Sequence, residues 1–395
     1  MVRRHLLFQS IMTAHVFAPG IPIDQGPGVP YLQENGMRVS RSAQAIAAAA
    51  VLLLQACAIH RAIDPALLSF DESRLPSADV SSSIPGLGPC TDNPDRTLRL
   101  SSRHPVTVLV HGCFGSSGQF RGLAQVLAFH GQQTACFTYD DRDALDVSAQ
   151  ALAAAADQLV RQTKNTVFAP PVTIIGHSQG ALVARRSVTA GRPYAIGNSD
   201  TQLGLVTISG PFAGIAAANA CGSPVVRALS LGLIGPLCRL GTGDKWSDIT
   251  YSADFIRNPG ALSGQVRSHL KLDTDERGSC RQTLNDTCIE DDLTFSLEEQ
   301  RNPVVDGDAA ASVVEVKAGH IEIVGDNRVA PVKLIAVLQK NGVILPTEPG
   351  RVQAFSLLLA KLYGQGTSAV LFEPSPTRVG RGYLVVGDPD PDQHE

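Results

Sequence analysis

The sequence predicts an α/β fold with a doubly wound, mostly parallel sheet. Three observations predict it: short apolar segments rich in β-branched residues, helix-like spacing between them, and glycine-rich turns. Strand and helix patterns alternate four times between residues 106 and 208, as in sheets whose two faces are both covered by helices. The chain has 395 residues, enough for one large domain of this kind.

The elements follow one another in a regular order. The first strands are predicted at Val106–Val110, Thr134–Thr138, Val172–Ile175 and Leu205–Ile208, with helices at about 119–129, 146–163 and 179–190. An insertion rich in Gly, Ala, Ser and Pro is expected at 211–290. The sheet then resumes at Leu293–Leu297 and Ser312–Lys317, followed by a helix at 330–340 and an amphipathic stretch at Ala354–Tyr363.

Composition shifts divide the rest of the chain. Residues 58–104 are expected to be a linker or pre-domain arm, 105–345 the α/β domain with its insertion, and 346–395 a C-terminal extension. The net charge is −4 and no long basic run occurs, so a nucleic-acid partner is not expected. No CxxC pair or His/Cys cluster suggests a zinc site, and neither a metal nor an organic cofactor is implied.

The N-terminal region is typical of an exported protein. Residues 1–57 are expected to be a non-core extension, in which 37–57 has two arginines, an apolar run and small residues, the layout of a signal peptide. Its end, Leu54-Gln-Ala-Cys57, resembles a bacterial lipobox, which implies acylation of Cys57 and a membrane tether. We expect translation to begin at Met37 and the product to be a periplasmic, membrane-anchored lipoprotein or a secreted protein.

The eight cysteines fit an oxidising compartment. Two pairs are plausible disulfides: Cys280 with Cys288, which close a short polar loop, and Cys221 with Cys238. The remaining three after Cys57 are an odd number, so at least one free thiol is expected. They are Cys90, Cys113 and Cys136.

The strongest motif is Gly176-His-Ser178-Gln-Gly180, between a predicted strand and a predicted helix. A G-x-S-x-G turn at this place presents the serine hydroxyl at the sheet edge, where helix N–H groups favour developing negative charge. Ser178 is therefore the candidate nucleophile. The alternative is an ordinary strand-to-helix turn without a catalytic role.

From about residue 105 to 340, the chain resembles the α/β-hydrolases of the bacterial lipase and esterase group. His111-Gly-Cys113-Phe-Gly115 follows the first core strand and is similar to that family's oxyanion loop. The resemblance implies an oxyanion hole made by the backbone amides of Cys113 and Gln179. His111 as the catalytic base is disfavoured, because the family places its base after the nucleophile.

The same resemblance implies a triad in the order serine, acid, histidine. Three histidines follow Ser178, and His320 directly follows a predicted strand, as the family's base does; His269 lies in the insertion and His394 in the acidic tail. For the acid we favour Glu299, just after the predicted strand Leu293–Leu297. Glu298 and Asp306 remain open, and another alignment places Asn302 there.

Taken together, these residues predict a serine hydrolase that cleaves carboxylic esters through an acyl-enzyme. The resemblance implies that the insertion 211–290 is a cap or lid over the site. The substrate is expected to be an ester or lipid, because this insertion is rich in apolar residues, including Leu229–Leu237. Two alternatives remain open. One is an acyltransferase or thioesterase with the same site, and the other is a non-catalytic surface lipoprotein that keeps the fold.

Overall fold

A computed structural model of the protein describes residues 75–163, 171–191, 196–197, 201–218, 243–285, 287–326, 329–364, 376–379 and 383–386. All of them belong to the compact unit Ile63–Glu395. Several predictions lie outside the described residues: the signal segment 37–57 with Cys57, the Cys221–Cys238 pair, the stretch Leu229–Leu237, and His394. No helix in the described ranges is long and apolar enough to span a membrane.

Thirteen strands occur in these ranges. In chain order they are β1 (Val80–Ser82), β2 (Leu87–Gly88), β3 (Leu98–Leu100), β4 (Val106–Val110), β5 (Gln133–Phe137), β6 (Val172–His177), β7 (Leu203–Ile208), β8 (Val266–Asp275), β9 (Cys280–Leu284), β10 (Thr287–Asp291), β11 (Ala311–Lys317), β12 (Pro376–Val379) and β13 (Tyr383–Val386).

The α-helices of the described ranges alternate with the core strands as the sequence predicts. They are α1 (Arg121–Phe129), α2 (Leu145–Thr163), α3 (Gln179–Ser187), α4 (Asp254–Arg257), α5 (Leu297–Gln300), α6 (Pro303–Asp306), α7 (Val332–Lys340) and α8 (Val352–Tyr363). Short 3₁₀ turns lie at Ser117–Phe120, Ala216–Ala218, Asp244–Ser247 and Pro349–Arg351.

Nine of the described strands form one sheet in the order β12-β13-β11-β8-β7-β6-β4-β5-β2. The strands from β13 to β5 run parallel, whereas β12 and β2 pair antiparallel at the two edges. The predicted mostly parallel sheet is therefore confirmed. Chain order reverses around β4, and such a reversal opens a crevice at the carboxyl ends of the strands, where ligands usually bind.

An apolar layer lies on each face of this sheet. Every residue of β4 is buried: Val106, Val108 and Val110 belong to the layer under α2 and α3, and Leu109 to the layer under α1, α7 and α8. Alternate residues of a strand face opposite sides, so a strand covered on both sides is apolar throughout. This is why the sequence places β4 correctly to the residue.

The predicted strand at Leu293–Leu297 is wrong. Residues 293–296 have no regular structure, and Leu297 begins the helix α5. The strand that lies beside β11 is β8, which pairs in parallel with β7 and β11. It lies within the segment 211–290, so that segment contributes a central strand of the sheet as well as an insertion.

Buried charges explain why β8 escapes sequence analysis. His269, Lys271 and Asp273 alternate with apolar residues along it, a pattern typical of a strand with one face in water. All three are buried. The Lys271 ammonium lies 2.5 Å from Asp273 Oδ1 and 3.0 Å from Asp306 Oδ1, and His269 Nε2 lies 2.9 Å from Thr207 Oγ1. Pairing makes the burial of these polar groups tolerable.

The C-terminal residues described by the structure join the same sheet and core. α8 packs against α1, and β13 extends the sheet beyond β11. The part of the chain predicted as an extension from residue 346 therefore contributes to this unit.

Two disulfide bonds occur among the described cysteines. Cys280–Cys288 is the predicted pair, and it joins the hairpin strands β9 and β10. Cys90–Cys136 was not predicted, because nothing in the spacing shows that β2 returns beside β5. Cys113 is a free thiol, as the odd count predicts. The two bonds are compatible with an exported protein.

Opening the Cys90–Cys136 bond should destabilise the fold more than opening the short hairpin bond. Cys90 and Cys136 are 46 residues apart, so the chain-entropy model gives a loss of about 4 kcal/mol for C90A/C136A. Cys280 and Cys288 are 8 apart, and C280A/C288A should lose about 2.5 kcal/mol. Urea denaturation of both double variants measures the difference, and a larger loss for the hairpin pair would contradict it.

Candidate active site

Ser178 lies in a sharp turn between β6 and α3. Its φ of 59° and ψ of −127° are unusual for a residue other than glycine. The two flanking glycines are required by close approach. A Cβ on Gly180 would lie 2.3 Å from Val110 O, and one on Gly176 would lie 2.2 Å from Gly180 O. The backbone of the turn therefore lies in close contact with the end of β4.

The loop 111–115 follows β4 and lies directly against Ser178. A Cβ on Gly112 would lie 2.8 Å from Ser178 Cβ and 3.2 Å from its Oγ. The amides of Cys113 and Gln179 donate no hydrogen bond to any described residue. The structure thus brings both predicted oxyanion donors to the edge of the sheet that carries the serine.

Several contacts hold this loop in shape. Gly115 N donates to Gly112 O at 3.1 Å, and Phe114 N donates to Asp141 Oδ2 at 2.5 Å. Tyr139 Oη donates to His111 O at 2.8 Å. The His111 ring stacks on Tyr139 with its Nδ1 2.9 Å from Gly112 O. His111 therefore supports the loop.

His320 lies on the turn after β11, at the same edge of the sheet. Its Nδ1 is 2.8 Å from Glu276 Oε1, and its ring meets the edge of Phe295 at 5.0 Å between centroids. The main chain of His320 is held by His177, whose Nε2 donates to His320 O at 2.9 Å. Burial holds the pKa of His177 well below its usual value, so this ring is a neutral donor.

Ser178 and His320 therefore converge, since the residue before the serine contacts the histidine. Both side chains are described and nearly buried, with 6% and 5% of their surface exposed. There is no hydrogen bond between Ser178 Oγ and His320 Nε2 in this state. Such bonds are often long in unliganded enzymes and shorten when substrate binds.

Glu276 is the carboxylate that meets His320, and the sequence analysis missed it. It comes directly after β8 and its side chain has no exposed surface. Its Oε1 accepts hydrogen bonds from His320 and from Thr274 Oγ1 at 2.9 Å. Its Oε2 accepts from the amides of Thr294 and Phe295 at 2.6 and 2.8 Å. Four donors compensate the buried charge.

The predicted acid, Glu299, does not reach His320. Its carboxylate accepts hydrogen bonds from Ala216 N at 2.7 Å and from Ser296 N at 2.9 Å. With Ser296 it forms a capping box at the start of α5. The expected pairing of Glu299 with His320 is corrected because residues 293–297 form the approach to this helix and not a strand of the sheet.

The alternatives considered for the acid also have other partners. Asp306 contacts Lys271, Asn302 caps α6 through its Oδ1, and Glu298 is exposed. His269 is buried, and its Nε2 contacts Thr207 Oγ1. The described residues contain no group of His, Cys, Asp and Glu side chains that could hold a metal ion.

A second carboxylate, Asp292, holds the main chain around His320. Its Oδ1 and Oδ2 accept from Ile321 N at 3.0 and 3.1 Å, and Oδ2 accepts from Glu322 N at 2.9 Å. Its carbonyl accepts from His320 N at 2.9 Å. A Cβ on Gly319 would lie 2.1 Å from Asp292 Oδ2, so only glycine fits there. The stretch 292–295 thus supports both His320 and Glu276.

The comparisons with known proteins identify one family. A model described as "Alpha/beta hydrolase family" matches residues 107–321. No curated protein sequence matches the chain. The family assignment rests on the sequence match over these residues, which include Ser178, Glu276 and His320.

Similar solved structures include a mature lipase of Bacillus licheniformis, at 15% identity over 65% of this chain and 96% of that chain, with a TM-score of 0.42. A propionate-bound esterase of Thermogutta terrifontis has 14% identity over 69% of this chain and 97% of that chain, with a TM-score of 0.41. An esterase of Pyrobaculum calidifontis has 13% identity over 59% of this chain and 73% of that chain, with a TM-score of 0.33.

Asp292 should give the protein a measurable pH-dependent stability. Burial raises the pKa of its carboxyl to about 6, although the amides of Glu322 and Ile321 oppose the shift. The native state then takes up a proton near pH 6, whereas an unfolded aspartate does so near about pH 4. The stabilisation by this proton is complete below about pH 4 and is lost as pH rises through 6.

Asp292→Asn removes this titration. From pH 7 to pH 5, the wild type should therefore gain about 1 kcal/mol of unfolding free energy relative to the variant. Urea denaturation of both proteins at the two pH values measures the gain. Equal pH dependence of the two proteins would contradict the prediction.

Proposed function

The chain belongs to the α/β hydrolase family, and we propose that it is a serine hydrolase that cleaves carboxylic esters. The observation that carries the proposal is the convergence of a strained serine turn, two amides without described partners, and a carboxylate–imidazole pair at one sheet edge. Family membership alone does not select a substrate. The chemistry is argued from these residues.

In the proposed mechanism, Ser178 Oγ attacks the ester carbonyl carbon while His320 Nε2 takes its proton. The short contact between His320 Nδ1 and Glu276 Oε1 supports a tautomer with the proton on Nδ1 and the lone pair on Nε2. Glu276 remains a carboxylate throughout and stabilises the imidazolium. The positive charge that forms on the imidazole therefore lies next to a carboxylate that already contacts it.

The carbonyl oxygen becomes negative in the tetrahedral intermediate, beside the amides of Cys113 and Gln179. Two such donors each stabilise the transition state by about 3 kcal/mol. His320 then returns the proton to the leaving alkoxide, and the acyl group remains on Ser178. Water, activated by the same imidazole, releases the acid and restores the serine.

We propose Glu276 as the acid in place of Glu299. Its support is direct contact with the imidazole and four hydrogen-bond donors around its carboxylate. Because an acid partner for His320 is present, the Glu276–His320 pair also favours a catalytic protein over a surface lipoprotein that merely keeps the fold.

We further propose that the protein is exported and tethered through an acylated Cys57. The signal layout of residues 37–57 and the two disulfides support this. Mass analysis of the mature N-terminus should find a lipid on Cys57. A mature chain that still contains residues 37–56 would contradict the tether.

Matched carboxamide variants test the triad. Glu276→Gln should lower kcat on p-nitrophenyl esters by about 10³–10⁴-fold, because the imidazole loses its orienting charge. Glu299→Gln is the control: it keeps kcat within about threefold, because Gln also fits this position of a capping box, and it loses about 1 kcal/mol of stability because one carboxamide oxygen replaces the two oxygens that accept from Ala216 N and Ser296 N. Ser178→Ala should abolish both hydrolysis and labelling by a fluorophosphonate probe.

The ester series should vary in acyl length, so that it reports chain-length preference in the same experiment. An inactive Glu299→Gln beside an active Glu276→Gln would reverse the assignment of the acid. Wild-type protein that neither hydrolyses any ester of the series nor reacts with the probe would overturn the proposed function.

A further inference from the structure

A lysine from the segment after residue 242 reaches the oxyanion loop. Lys245 lies on the 3₁₀ turn Asp244–Ser247 and only 2% of it is exposed. Its Nζ lies 2.8 Å from Cys113 Sγ and 3.3 Å from Asp141 Oδ2. It also lies 5.2 Å from the centre of the Phe114 ring. Cys113 and Phe114 belong to the loop 111–115, and Asp141 holds that loop by accepting a hydrogen bond from Phe114 N.

The turn that carries Lys245 is fixed to the chain beside this loop. Asp244 N donates to Arg142 O at 2.7 Å, and Leu145 N donates to Asp248 Oδ2 at 2.8 Å. These contacts lie on both sides of Lys245. The backbone of this turn is therefore fixed, and the burial of the Lys245 side chain restricts the ammonium.

The charge of this lysine is only partly compensated. Burial raises the pKa of Cys113 to about 11, so its thiol is neutral. Among the residues that the structure describes, Asp141 is the one carboxylate paired with Lys245. Burial raises the pKa of Asp141, but Lys245 and the Phe114 amide outweigh this and hold it below its usual value. Asp141 Oδ2 thus shares its charge between Lys245 and Phe114 N.

An ammonium has three donors, and the described residues accept two of them. A buried cation that lacks full compensation is unfavourable. A site that forms an anion during its reaction recovers part of that cost in the transition state. The negative charge of the proposed intermediate would form beside the amide of Cys113, the residue whose sulfur contacts Lys245.

We infer that Lys245 is a positioning residue that holds the oxyanion loop in its binding shape and supplies positive charge beside the Cys113 amide. The inference rests on the proposed function for its catalytic consequence. Its structural consequence, a loop whose order depends on Lys245, stands independently of any reaction. The two consequences can therefore be measured separately.

The test compares Lys245→Met, which keeps length and loses charge, with Lys245→Arg, which keeps the charge. On p-nitrophenyl butyrate, Lys245→Met should lower kcat about tenfold with little change in KM, less than the 10²–10³-fold loss of a direct donor. Affinity for an alkyl trifluoromethyl ketone, which forms an oxyanion on the enzyme, should fall by the same factor. Lys245→Arg should recover part of both losses.

Lys271→Met is the matched control, because Lys271 is also buried but its ammonium is paired with Asp273 and Asp306 and not with the oxyanion loop. It should lose stability and keep kcat per molecule labelled by the fluorophosphonate. If Lys271→Met does not fold, Asp141→Asn/Lys245→Met replaces it. This double variant leaves no unpaired charge, so it should regain stability without regaining kcat.

Hydrogen exchange of residues 111–116 forms the second arm, which needs no substrate. Lys245→Met should speed exchange of the Phe114 amide at least tenfold, and exchange in β11 should not change. Unaltered exchange together with unaltered ketone affinity would overturn the inference. Wild-type protein inactive on all esters, with exchange still dependent on Lys245, would overturn the proposed function and leave the positioning role standing.

Discussion

The contact between the end of β4 and the serine turn is the constraint on which the site depends. Val110 and Gly176 are partners in the parallel register of β4 and β6, so the loops that leave these strands start side by side. Because positions 112 and 180 lack side chains, the two loops approach within van der Waals distance. Any larger residue at either position would separate the predicted oxyanion donors from the serine.

The same argument applies to the proposed acid and base, which come from neighbouring parallel strands. Asp275 of β8 is the partner of Lys317 of β11. Glu276 therefore follows at the sheet edge, and His320 follows three residues beyond its strand. The hairpin of β9 and β10 then brings the chain back, so that residues 292–295 lie across both. The parallel register of β8 and β11 thus places Glu276 and His320 at the same edge, and residues 292–295 then support both.

The sequence predicted the parts of this architecture that are apolar or glycine-dependent. β4, the serine turn and the oxyanion loop belong to this class, and His320 was found from its place after an apolar strand. Glu276 was missed because β8 buries Lys271 and Asp273 as a pair, and such a strand has the pattern of an exposed one. The prediction of Glu299 follows from its place just after the predicted strand Leu293–Leu297, whereas Ser296-x-x-Glu299 is also the signature of the capping box that the structure has there.

Lys271 and Lys245 are both buried, but they differ in how fully nearby carboxylates compensate their charges. Lys271 lies between two carboxylates within 3.0 Å, so its charge is balanced and its position needs no further explanation. Within the described part of the chain, Lys245 has one carboxylate at 3.3 Å, which Phe114 N shares, and a neutral thiol at 2.8 Å. A fold gains nothing from an imperfectly balanced charge in its interior. The incomplete compensation of Lys245 is explained if the negative charge of the proposed tetrahedral intermediate forms beside it.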